Sequence, residues 1–336
     1  MEKSKVLITG ITGLIGKHIA QKILNENLFD IRGHCFSAKD ISFFEQNNIE
    51  IFRADICKKE QLVDICSGCS IVVHSAARVI DFGTKAQFYE AHVDATKYIL
   101  DEAIKSGVKH FIYISSFGPA TYISRKNGVL PNEDIPLVKS GVHYDDAKIV
   151  AEEMVKSYAQ KYGFDYTIIR PAAVVGPESV WVREPLLRIK KSALGVALID
   201  NGKWDACLID AANLADGIYK TITIPVARNQ TYFLMDDWGI TWKQYLTDLL
   251  YLVGKVPTLS LPKSIVLPLA KLLDKLLVPF GKKPPFSPKS ILATGSDRRV
   301  DTAKARKELG WKSAIGYKDS FAKIKNWVQS QPDLLP

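Results

Sequence analysis

Lys5-Val-Leu-Ile-Thr9 is a short apolar run that passes without a break into Gly10-Ile-Thr-Gly13-Leu-Ile-Gly16. The segment from Leu14 to Asn25 then carries Ile15, Ile19, Ile23 and Leu24 at helical spacing. A buried strand, a glycine turn and a helix in immediate succession leave few folds open. Gly10 permits a tight turn, Gly13 lets backbone approach a pyrophosphate, and Gly16 lets helix and strand pack closely. The helix start adds unpaired amides and the positive end of its dipole, so the unit reads as a phosphate cradle. The glycines are spaced three and three, not as G-x-G-x-x-G. A structural turn would account for any one of them; three in register behind a strand point to the cradle.

The rest of the first half repeats that alternation. Strands are expected near 5–9, 31–36, 49–53, 71–75, 110–115 and 166–170, and helices near 14–26, 60–66, 87–105 and 144–161. This pattern predicts an α/β fold, a doubly wound parallel sheet with right-handed crossovers. Ligands of such sheets lie beyond the carboxyl ends of the strands. With 336 residues, 47% of them hydrophobic, the chain can bury a large core and build a second lobe. Its net charge of +9 suits an anionic cofactor, a phosphorylated substrate, nucleic acid or a lipid surface without choosing among them. No basic aromatic motif supports nucleic acid, which is discounted. Met1 to Lys5 shows no apolar leader, and the odd count of five cysteines fits reduced thiols, so a cytoplasmic protein is expected. Cys66-Ser-Gly-Cys69 lacks the second cysteine pair a metal site needs and is read as structural, with no metal.

Chemistry enters at Tyr144 and Lys148, which share one face of an expected helix with Ala151 and Val155. An ammonium beside a phenol stabilises the phenolate. Bringing a tyrosine from about 10 to near 7 takes roughly 4 kcal/mol, on the order of what one close cation supplies in a partly screened site. A tyrosine so tuned exchanges a proton with a substrate oxygen near neutral pH, as alcohol and carbonyl interconversion requires. Alone, the spacing also fits an ordinary helix surface.

Further motifs stand in order along the chain: Asp55-Ile56, then Val72-Val-His74-Ser-Ala-Ala77, then Tyr113-Ile-Ser-Ser116. Tyr144 to Lys148 with Ala151-Glu152 follows, and then Ile168-Ile-Arg170-Pro-Ala-Ala-Val-Val-Gly176-Pro177. With Thr9 to Gly16 read as T-G-x-x-G-x-x-G, the series resembles the extended short-chain dehydrogenase/reductases, the NAD-dependent epimerase/dehydratase superfamily, over nearly the whole chain. The resemblance implies a Rossmann-type dinucleotide domain over 1–177 with a return segment near 205–235. A smaller substrate lobe would comprise 178–204 and 236–336, its ending, Arg298 to Trp311, being a short strand and a helix that hold the lobe. It further implies an enzyme in which Tyr144 is proton donor or acceptor, Lys148 lowers the tyrosine pKa and holds the nicotinamide ribose, and Ser116 orients the substrate oxygen. Ser115 is the competing choice. Gly10, Thr12, Gly13, Leu14, Ile15 and Gly16 would cradle the pyrophosphate, and Asp55 and Ile56 would sit by the adenine. Ser75, Ala76 and Ala77 would border the cofactor, with Pro171, Ala173 and Val174 along the nicotinamide face.

Two departures matter. His92-Val-Asp-Ala95-Thr96 stands where many members read N-V-x-G-T, so His92 either substitutes in a proton relay or is simply packed. Phe117-Gly-Pro-Ala-Thr-Tyr122 replaces the V-Y-G continuation of nucleotide-sugar epimerases, and the aspartate-glutamate pair of dehydratases is absent. At the end of the second strand the nearest acid, Asp40, comes late, while Ser37 and Lys39 could hold a 2′-phosphate, so NADP is favoured over NAD. His74-Ser-Ala-Ala77, Ser115-Ser116-Phe117-Gly118 and the long apolar C-terminal lobe look closest to the branch with 3β-hydroxysteroid dehydrogenases and dihydroflavonol reductases. The expected function is therefore oxidoreduction of a small hydrophobic secondary alcohol or ketone. The alternatives are a nucleotide-sugar epimerase with tightly bound NAD and a non-catalytic dinucleotide sensor or scaffold. Leu261 to Phe280, apolar and studded with Lys263, Lys271 and Lys275, is too interrupted to span a membrane. It is expected to pack on the lobe, with a lid or peripheral membrane contact as alternatives. A homodimer is common in the family.

Overall fold

The computed structural model describes residues 3–335 apart from 38–39, 81, 123–127 and 192–195. Lys39, expected near the cofactor, lies outside the described residues. Six strands, β1 (Lys5–Thr9), β2 (Asp30–Cys35), β3 (Glu50–Arg53), β4 (Cys69–His74), β5 (His110–Ile114) and β6 (Asp165–Pro171), are joined by a seventh, Gln230–Leu234. They form one parallel sheet in the order 3-2-1-4-5-6 followed by the strand Gln230–Leu234. The order reverses between β1 and β4, the switch point at whose carboxyl ends such sheets bind their ligands.

Both faces of this sheet are buried, which explains the continuous apolar runs. Val6 and Ile8 point to one core with Ile19 and Ile23 of the helix Leu14–Glu26 and Leu214 and Ile218 of the helix Ala211–Thr223. Leu7 points to the other with Ile99 and Ala103 of the helix Ala95–Lys105 and Ala151 and Val155 of the helix His143–Tyr162. A further cluster joins Val182 and Leu186 to Trp242, Tyr245, Ile324 and Val328. Within the expected lobe 236–336, however, Val300, Ala305, Leu309 and Trp311 join the sheet's own core. Trp311 Nε1 donates to Asn213 O at 2.9 Å, and no strand forms over 298–302, only the helix Ala303–Leu309.

Two expected helices differ. Residues 60–66 hold only the 3₁₀ turn Lys59–Gln61 and further turns, because Asp64 is left-handed (φ 64°) and a short run there buries Leu62, Ile65 and Cys66 without helical regularity. The helix expected over 87–105 is broken by a π turn, Glu90–Asp94, between Lys85–Tyr89 and Ala95–Lys105. That wider turn carries His92 into the interior.

Candidate active site

The glycine turn sits at the switch point. Gly10 is left-handed (φ +69°), and a Cβ there would lie 2.9 Å from Ala76 Cα. At Gly16 a Cβ would lie 2.3 Å from Gly10 O and 2.7 Å from Ile11 Cα, both backbone atoms. Helix Leu14–Glu26 starts at Gly13 with no side-chain cap, so its first amides remain available. Thr12, Leu14 and Ile15 complete the turn, with Leu14 and Ile15 half-buried. The cradle thus fits a pyrophosphate: backbone is brought close, side chains are excluded, and donors are uncapped. Gly16→Ala forces the turn off the helix; we expect it to cost about 1–3 kcal/mol of stability by overpacking and to weaken dinucleotide binding at least about tenfold, as calorimetry would read.

Thr9 ties this turn to the loop after β4. Its Oγ1 accepts from the amides of Ser75 and Ala76, both at 3.1 Å, and therefore donates to His74 Nδ1 at 2.8 Å. Thr96 Oγ1 donates to His92 O at 2.5 Å, so it receives the Nε2 proton of His74 at 3.1 Å. Both nitrogens of His74 are thereby engaged in its neutral form, and burial holds its pKa down to about 3, with the charge of Lys148 adding to the effect. Between about 3 and the ordinary 6.5 the unfolded chain binds a proton that the folded one rejects. Stability from this residue is complete above that window and should fall as pH drops through it, by up to about 1.4 kcal/mol per pH unit. Urea unfolding at successive acid pH values, compared with His74→Asn, reads that slope. Ser75 Oγ donates to Thr9 O at 2.6 Å, which places Ser75 and Ala76 as struts of the turn; Ala77 follows them, half-buried.

Tyr144 and Lys148 open the helix His143–Tyr162 at the carboxyl side of the sheet. Lys148 Nζ donates to Ile114 O at 2.7 Å and lies 4.7 Å from the centroid of Tyr113, a strand neighbour of His74. His74 in turn pairs with Thr9 beside Gly10. The lysine is therefore two strands, roughly 10 Å, from the glycine turn. Burial pulls Lys148 down to about 7, against Glu152 and helped by Lys289. Its Nζ is 5.9 Å from the Tyr144 ring centroid, whereas Lys289 Nζ is 3.7 Å from it. Burial pushes the Tyr144 phenol up, and Asp145 adds to this. In the chain by itself the phenol therefore moves opposite to the direction expected from Lys148, because burial disfavours the phenolate and Asp145 adds to the effect.

The rival serines separate cleanly. Ser115 Oγ donates to Glu152 Oε1 at 2.5 Å and is buried, committed to the Glu152–Arg170 ion pair. Ser116 Oγ, half-buried, accepts from Gly118 N at 3.1 Å and keeps its proton to give. Pro171 and Ala173 are buried at the end of β6 and beyond it, with Val174 half-buried. A Cβ on Gly176 would lie 3.6 Å from Leu14 Cδ1, so this segment closes onto the glycine turn. Asp55 and Ile56 follow β3 on the far rim, with Asp55 Oδ1 accepting from Cys57 N at 3.0 Å. Ser37 is exposed after β2, and Asp40 is taken up locally, accepting from Ser42 N and Oγ at 2.9 and 2.7 Å.

Sequence reasoning missed three residues. Lys289, from the helix Pro288–Thr294, crosses onto Tyr144 from the second lobe, and no spacing could reveal it. His34 accepts from Gly10 N at 3.3 Å through Nδ1. Arg298 lies 4.7 Å from Phe117 and donates through Nε to Thr121 Oγ1 at 2.9 Å. His92 is fully buried, packed edge-on to Tyr144 at 5.1 Å. Its Nε2 donates to Arg78 O at 3.2 Å and its Nδ1 has no partner among the described residues.

Comparison with known proteins completes the picture. The NAD dependent epimerase/dehydratase family model matches residues 6–231. The 3beta-hydroxysteroid-dehydrogenase/decarboxylase isoform 1 of Arabidopsis thaliana is 24% identical, the match covering 97% of this chain and 81% of that protein. The UDP-glucose 4-epimerase of Vibrio cholerae is 26% identical over 96% of this chain and 94% of its own length. The crystal structure of Thermus thermophilus UDP-glucose 4-epimerase in complex with NAD superposes with a TM-score of 0.70 at 19% identity, covering 97% of this chain and 99% of that one.

Proposed function

Because the chain belongs to the NAD-dependent epimerase/dehydratase family, as an NAD(P)-dependent enzyme of the extended short-chain dehydrogenase/reductase type, we propose that it interconverts a secondary alcohol and a ketone on a small hydrophobic substrate. The observation that supports this reading is the pocket at Tyr144, where Phe82, Phe88, Val142 and Pro288 stand beside the polar side chains of His143, Asp274 and Lys289. The apolar members suit the body of a hydrophobic substrate, and the polar ones a hydroxyl or keto group on it. The likeness to the 3β-hydroxysteroid dehydrogenase/decarboxylase points the same way.

The nicotinamide, when bound, supplies or accepts hydride. Tyr144 handles the proton. Its phenol, pushed up by burial, holds that proton in the chain by itself and can give it to a carbonyl oxygen. Ser116 Oγ orients the same oxygen, and Lys148, fixed on Ile114 O, supports the ribose side. We assign the pyrophosphate to Gly10, Thr12, Gly13, Leu14, Ile15 and Gly16. The test is a screen of hydrophobic ketones for loss of nicotinamide absorbance, run beside UDP-glucose. Steady conversion of UDP-glucose to its epimer, with no net change in the nicotinamide, would make the chain an epimerase instead.

NADP is the preferred cofactor in this reading. Asp40 comes late after β2 with its Oδ1 bonded to Ser42 N and Oγ, while Ser37 stands exposed nearer the end of the strand. Calorimetry should give a dissociation constant for NADPH below that for NADH, and a preference above tenfold for NADH would reverse the assignment.

A further inference from the structure

The helix Lys263–Leu277 packs inward through Val266 and Ala270, which meet Ile199 and Ile291 in a small buried cluster. Its other side carries Ile265, Leu269, Leu272 and Leu276, at steps of four, three and four. At 3.6 residues per turn these four project within an arc of roughly 60° and run for about 16 Å along the axis. With Phe280 just past the helix they are 45% to 79% exposed. Scattered exposed leucines need no explanation, but five large side chains in one continuous ridge do.

The surroundings of the ridge say what it meets. Lys271 and Lys275 flank it on one side, and Lys282 and Lys283 follow Phe280. Lys283 reaches Glu184 at 2.7 Å, while among the described residues no salt bridge forms at Lys271, Lys275 or Lys282. Two copies facing through this ridge would bring lysine against lysine. An anionic lipid surface instead offers an acyl layer to the apolar side chains and phosphates to the ammonium groups, and the net charge of +9 favours approach to it. No helix among the described residues is long and apolar enough to cross a membrane, so the contact is superficial.

We propose that the helix Lys263–Leu277 is a docking element for anionic membrane surfaces, with Ile265, Leu269, Leu272, Leu276 and Phe280 inserted at the headgroup boundary and the flanking lysines on lipid phosphates. On its inner side the same helix presents Asp274 to the pocket that holds Tyr144 and Lys289. Docking therefore sets that pocket beside the lipid layer.

Co-sedimentation of the intact chain with phosphatidylcholine vesicles, with and without phosphatidylglycerol, tests this directly. Anionic vesicles should pellet at least about tenfold more protein than neutral ones, and added salt should reduce the difference. The double variant Leu272→Glu, Leu276→Glu should lose about tenfold in binding while keeping its melting temperature and dinucleotide affinity, since neither residue touches the cleft. Lys271→Gln with Lys275→Gln should erase the preference for anionic lipid. Full recovery of the wild-type chain in the supernatant, or equal binding by the glutamate variant, overturns the proposal. So does a dimer in size-exclusion chromatography that the glutamate variant converts to monomer without vesicle binding, which would assign the ridge to a second copy. None of these readouts uses turnover, so they stand apart from the substrate assignment.

Discussion

Tyr144→Phe is expected to lower kcat by about a hundred- to ten-thousand-fold, the range spanned by loss of a positioned proton donor, with dinucleotide affinity within about threefold of the parent. The phenol touches Phe88, His92 and Lys289 through its ring, and phenylalanine keeps that packing. Only the hydroxyl is removed, so the loss should fall on kcat and not on folding or cofactor binding. Stopped-flow hydride transfer with the best ketone, together with calorimetry of the cofactor, separates the two. Turnover near the parent rate in the variant removes Tyr144 from proton transfer and with it the proposed mechanism.

Arg170→Met should destabilise the fold by about 3–5 kcal/mol, because it strands Glu152 as an unpaired buried charge. Arg170 donates to Glu152 through Nε at 3.0 Å and Nη2 at 2.7 Å, to Glu133 O through Nη1 at 3.2 Å, and lies 5.4 Å from the Phe233 ring centroid. Both charged side chains are almost fully buried. The pair clamps the helix His143–Tyr162 to β6, and Lys148 stands one turn before Glu152 on that helix. Loss of the clamp should therefore also loosen Lys148 from Ile114 O. Adding Glu152→Leu to Arg170→Met should restore much of the stability, since an apolar pair often replaces a buried ion pair at little cost. Equal urea midpoints for parent and single variant would show that the pair contributes nothing.

Much of this architecture was legible before any coordinate. The strands β1 to β6 each lie within two residues of their expected ends; burial on both faces demands an apolar run in the central strands β1, β4 and β5, and the glycine turn marks the exit of β1. The helix Leu14–Glu26 was legible for the same reason of period. Residues 60–66 misled: Leu62, Ile65 and Cys66 have helical spacing, yet they are buried by turns. The π turn at Glu90–Asp94 was illegible, since one extra residue per turn leaves no compositional mark.

The sequence by itself determined the doubly wound sheet, the glycine cradle and the shared face of Tyr144 and Lys148, because each follows from local spacing and backbone sterics. Only the tertiary structure decided which serine is spent on Glu152, which lysine lies against Tyr144, and in which direction burial moves the phenol. Those outcomes depend on which side chains meet across distant segments and how much water they exclude, and neither quantity is written in the spacing of residues along one element.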